Sequence, residues 1–106
     1  MYNSTNKDIK AEFLVFIPKA FTPNHDGLND GFKPIVSGHD PKSYEFTVFN
    51  RRGELLFVSK KSEESWDGIV NGQIVQQDMN VWHLKVRQLP NGEGKEFYET
   101  VMSLKN

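Results

Sequence analysis

At 106 residues the chain is long enough for one domain with a single hydrophobic core and too short for two. Its 13 Lys and Arg nearly balance 14 Asp and Glu, so there is no basic footprint for nucleic acid, and Arg51–Arg52 and Lys60–Lys61 read as isolated, solvated pairs at strand ends. The absence of cysteine excludes a disulfide scaffold, a thiolate metal site and a cysteine nucleophile, and no apolar run approaches the ~20 residues needed to span a bilayer.

In chain order, "MYNSTNKDIK" lacks the basic and apolar regions of a signal peptide. Residues 1–9 read as a polar tail or linker from a longer parent, and residues 10–106 as the folded domain. If the protein is exported, its signal is expected far upstream. "KAEFLVFIP", Lys10 to Pro18, is an aromatic and β-branched run closed by proline, the composition of a strand. "SYEFTVFNRRG" places Tyr44, Phe46 and Val48 on one face and then turns through Asn50–Gly53. "ELLFVSK" follows at hairpin distance.

"ESWDGIVNGQ" carries Asp67–Gly68, a turn, and Asn71–Gly72, the dipeptide favoured at a type I′ hairpin tip. "NVWHLKVRQL" alternates Trp82, Leu84 and Val86 against Val81, His83, Lys85 and Arg87, the pattern of a half-buried strand. "LPNGEGK" turns again, and "EFYETVMSLK" supplies a last strand. No segment shows the apolar stripe of an amphipathic helix over three turns. Short alternating strands between turn signals indicate an all-β protein: an immunoglobulin-like antiparallel β-sandwich of about seven strands.

Two stretches carry candidate chemistry. "FTPNHDGLNDGFKP", Phe21 to Pro34, spaces oxygen ligands as a Ca²⁺ loop does. Asn24 falls at the third position of such a loop, Asp26 at the fifth, Gly27 at the sixth, the Leu28 carbonyl at the seventh and Asp30 at the ninth. Thr22 at the first position and Lys33 at the twelfth break the pattern. A Ca²⁺ held by Asn24, Asp26 and Asp30 would need help from another loop, for example through Asp40 or Asp67. In the simpler alternative Asn24, Asp26 and Asn29 close Asx-turns while Gly27 and Gly31 take positive φ. In the second stretch Trp66 beside Asp67 reads either as a sugar-stacking platform or as a core anchor ahead of a turn. His25, His39 and His83 are scattered, and no hydrolase or phosphate-loop motif occurs, so a hydrolase is the weakest reading.

Four blocks in this order resemble the gliding motility-associated C-terminal domain family, the type B sorting domain of type IX secretion. They are "IPKAFTPNHDGLNDGFKP" (17–34), "VFNRRGELLF" (48–57), "WDGIVNGQ" (66–73) and "ETVMSLK" (99–105). His25 stands where the family has Gly, and Arg52 where it has Trp. "QQDMNVW" lacks the Pro, Gly and first Tyr expected before the penultimate strand.

The resemblance implies an immunoglobulin-like fold and a non-catalytic module at the C-terminus of a large secreted protein. It implies recognition in the periplasm by the type IX translocon and PorP/SprF-like components, and passage across the outer membrane to the cell surface or medium. On this reading residues 10–106 are the sorting domain, and no cofactor other than a Ca²⁺ comes into question. The residues expected to carry recognition are Asn24, Asp26, Gly27, Asn29 and Asp30 in the first loop, and Asn50, Arg51 and Gly53 in the second. Trp66, Asp67 and Gly68 follow, with Lys105 on the last strand. The rival reading is a Ca²⁺-stabilised adhesive or carbohydrate-binding β-sandwich, which predicts a row of solvent-exposed aromatics.

Overall fold

A computed structural model of the protein describes residues 12–23 and 31–104. Among these residues nine strands follow in chain order: β1 (Leu14–Phe16), β2 (Ala20–Phe21), β3 (Ile35–Ser37), β4 (Glu45–Phe49), β5 (Leu55–Ser59), β6 (Ile69–Val70), β7 (Gln73–Ile74), β8 (Asp78–Gln88) and β9 (Glu93–Ser103). A 3₁₀ turn, Pro41–Ser43, precedes β4. The protein is all-β, as the alternation predicts. The count exceeds seven because β2, β6 and β7 are two-residue strands, too short to leave a periodic signature.

Five strands form the main sheet in the order β2-β9-β8-β4-β5. Its centre is the long antiparallel β8–β9 hairpin, in register from Asp78–Ser103 to Gln88–Glu93. β4 pairs antiparallel with both β8 and β5, with a bulge at Val48/Phe49. The period of two then sorts the side chains. Tyr44, Phe46 and Val48, with Trp82, Leu84, Val86 and Val101, lie on the inner face and are buried.

β1 and β3 form a separate antiparallel pair that turns Val15 and Val36 toward this core, with Phe13 stacked on Phe97 at 6.5 Å. "KAEFLVFIP" therefore yields only a three-residue strand. Pro18, with no N–H to offer, lies where the chain leaves this pair for the main sheet. The segment arrives as β2 running parallel to β9, so the main sheet is mixed rather than purely antiparallel.

Turn chemistry follows the sequence closely. Asn71 and Gly72 both take positive φ (55° and 81°) between β6 and β7, the type I′ conformation.

Candidate functional site

The motif blocks, separated along the chain, converge at one end of the main sheet, where β4 ends, β8 begins and β9 finishes. Five aromatic rings hold them there. Phe21 stacks on Phe32 (5.5 Å) and tilts against Trp66 (5.4 Å), Phe32 meets Phe46 (5.5 Å), and Trp66 stacks on Phe57 (6.4 Å). Phe21, Phe32, Phe46 and Trp66 are buried. Each such contact adds directional preference to a large burial of apolar surface.

The backbone reinforces the cluster. Phe32 and Trp66 exchange two 2.9 Å N–H to carbonyl bonds across an isolated bridge. Met102 N–H donates to the Lys19 carbonyl and Leu104 N–H to the Phe21 carbonyl, both at 2.9 Å. The stretch Phe21–Pro34 is thus pinned at both stems, by β9 on one side and by Trp66 on the other. Its tip, with Asn24, Asp26, Gly27, Asn29 and Asp30, lies outside the described residues, as does Lys105.

Asp67 and Gly68 build the turn beside the first stem. The Asp67 carboxylate accepts from Ile69 N–H at 2.9 Å, an Asx-turn, and the Gly68 carbonyl accepts from Val75 N–H at 2.8 Å. Gly68 has φ +77°, and its bare Cα faces the Pro23 ring. Asp40 is likewise committed to its own turn, accepting from Lys42 N–H at 3.0 Å.

The Asn50–Gly53 loop stands at the same end. Asn50 Oδ1 accepts from the N–H groups of Arg52 and Glu54, both at 2.9 Å, and Gly53 supplies φ +88°. Arg51 reaches Asp78 at the head of β8 with a 3.0 Å ion pair. That guanidinium, with the Met79 N–H, holds the Asp78 carboxyl below the usual range. Asp78 pairs with Ser103, whose buried hydroxyl donates to the Gln76 carbonyl at 2.8 Å and so ties the end of β9 to the approach to β8. Sequence reasoning misses Asp78, Ser103 and the stem residues Pro23 and Phe32. Only the final pairing of distant segments gives them a place in the cluster.

Among the described residues this end of the molecule sets a polar rim over an aromatic base. Its Arg51, Arg52 and Asp78 surround a shallow depression of about 420 Å³. Trp66 and Trp82 are both buried, so neither offers a stacking platform to solvent. The exposed aromatics Phe16 and Tyr98 lie on different sheets. His39 packs against Tyr44 and His83 against Tyr98, and among the described residues no three His, Asp or Glu side chains gather where they could hold a metal.

The family model described as "CHU_C Type IX secretion signal domain" matches residues 15–101. No curated protein matches the chain, and no solved structure matches it either.

Proposed function

The chain belongs to the family of type IX secretion signal domains, and from that premise we propose that it is the C-terminal sorting domain of a larger exported protein. On this reading it performs no chemistry. It is recognised in the periplasm by the type IX translocon through PorP/SprF-like components, which pass the parent across the outer membrane to the cell surface or medium. Residues 10–106 are the sorting unit, and residues 1–9 link it to the parent.

The observation that carries this reading is the convergence of the family's motif blocks at one end of the sheet. The buried parts of the blocks (Phe21, Phe32, Trp66) fix the shape, and the exposed parts are presented by it. Recognition then falls on Asn50, Arg51 and Gly53, on the Asp67–Gly68 turn over Trp66, on Asn24–Asp30, and on the last strand through Lys105. A Ca²⁺, if one binds, would use Asn24, Asp26 and Asp30. A rise in melting temperature with Ca²⁺ that EDTA reverses is the outcome this requires.

The test is export. Residues 16–106 fused to a periplasmic reporter, in a host with a type IX system, should carry the reporter out of the cell. Retention in the periplasm, while an established sorting domain exports the same reporter, would refute the proposal.

A further inference from the structure

The main sheet has an open side. β2 pairs with β9 only at Met102 and Ser103, and among the described residues no strand pairs with the rest of that edge. Successive strand residues aim their N–H and C=O to opposite sides. Met102 donates toward β2, so Gly94, Glu96, Tyr98 and Thr100 direct their backbone groups toward the same open side. Such an edge is a template for another strand. Along it lies a cleft of about 450 Å³ lined by Val15, Ile17 and Trp82 and by Glu96, Phe97, Tyr98 and Glu99 of the strand itself, with Tyr98 61 % exposed.

We propose that this edge pairs antiparallel with the β9 edge of a second copy of the chain, about a two-fold axis at Phe97. Phe97 is the midpoint between Gly94 and Thr100, so the whole open stretch is used symmetrically. In this register Lys95 faces Glu99 of the second copy, and Glu99 faces its Lys95, giving two opposite-charge pairs on the inner side. Glu96 faces Tyr98 of the second copy and Gly94 faces Thr100, and these positions exchange the backbone hydrogen bonds.

The two Phe97 rings meet on the axis beside Val15 and Ile17, and their contact closes the cleft. Neighbouring registers are worse. Centring on Lys95, Glu96 or Glu99 sets like charges against each other, and centring on Tyr98 leaves Lys95 opposite Val101 and Glu99 opposite Phe97, with no charge pair. Among registers that use the whole open stretch the edge is therefore self-complementary in one, as an isologous interface requires. This inference stands apart from the sorting role and does not depend on it.

Sedimentation equilibrium of the whole chain should show a monomer–dimer equilibrium. Glu99→Lys replaces both attractions by repulsions and should raise the dissociation constant by about tenfold or more. Lys95→Glu should do the same. The reciprocal exchange Lys95→Glu/Glu99→Lys has the wild-type composition and should restore the constant to within about threefold. In the wild-type chain, raising the concentration should slow amide exchange at Glu96, Tyr98 and Thr100 and leave Phe97 and Glu99 unchanged, since these already face β8. A chain that stays monomeric to ~1 mM, a weak dimer by the measure of protein interfaces, would overturn the proposal. So would a double exchange that fails to restore the dimer, or protection that ignores concentration.

Discussion

Replacing Gly68 with alanine tests whether the turn after Trp66 braces the first motif loop. Gly53 provides the control, because both residues hold left-handed φ, +77° and +88°. The left-handed conformation costs an ordinary L-residue about 1–2 kcal/mol. At Gly53 that is the whole cost, since a new Cβ would have nothing within 4 Å. At Gly68 the new Cβ would overlap Cβ of Pro23, lie 2.9 Å from its Cγ, and approach Phe21 Cε2 at 3.4 Å. The Pro23 ring has no rotamer to escape to, and Phe21 is locked between Phe32 and Trp66.

Overpacking of this kind adds about 1–3 kcal/mol. Gly53→Ala should therefore cost about 1 kcal/mol and Gly68→Ala about 3 kcal/mol, sums that rest on the strain and packing terms together. For a domain of this size the corresponding falls in melting temperature are about 5 °C and about 15 °C. Calorimetry with a parallel urea titration measures both. Equal losses for the two variants would refute the argument, because backbone strain would then be the only effect and the Pro23 contact would carry no energy. If the braced loop is what the secretion machinery reads, Gly68→Ala should also impair reporter export below its melting temperature while Gly53→Ala does so less.

Trp66→Ala should cost about 3–5 kcal/mol by opening a cavity among Phe21, Phe32 and Phe57. Trp66→Phe should cost about 1 kcal/mol, because among the described residues the buried Trp66 Nε1 has no partner to lose; urea midpoints separate the two. Asn50→Ala removes the acceptor for the Arg52 and Glu54 amides together with the Nδ2 donor to the Glu54 carboxylate, and should destabilise by about 1–2 kcal/mol in a urea titration. Asp78→Asn tests linkage. The folded carboxyl titrates below its ordinary value, so its contribution is present above that value and fades as the pH falls through the depressed one. The gap in melting temperature between wild type and Asp78→Asn should accordingly be small but measurable at neutral pH and close under acid conditions.

The sequence makes the local rules readable and leaves the distant pairings hidden. Alternation fixes the inward faces of β4 and β8 because one face of each is buried, and a one-residue slip would expose Phe46 and Leu84. Asn71–Gly72 specifies its hairpin because both residues accept the positive φ that a type I′ turn demands. Nothing local announces that Ala20–Phe21 will run parallel to the end of β9, or that Phe32 will bridge Trp66. Those contacts join residues far apart in the chain and depend on where the other layers come to rest. Asp78 reads as an ordinary strand-end acid until Arg51 is placed 3.0 Å away. The resemblance to a family supplies the grouping of motifs that periodicity cannot, and the aromatic cluster gives that grouping a physical cause.

The two surfaces are held in place by different means. At the motif end, rings pack on rings, and one stem is bonded to the end of β9 and the other to Trp66, so the surface survives only if the core around Trp66 is intact. Changes there should therefore move stability and export together. The open edge of β9 is instead a row of backbone groups flanked by Lys95, Glu96, Tyr98 and Glu99, none of them in the buried core. Charge exchange at Lys95 and Glu99 can thus alter self-association with little effect on folding. A variant with exchanged charges that exports normally would separate the sorting surface from the pairing edge. One that fails to export while remaining folded would mean that the secretion machinery reads the same open strand.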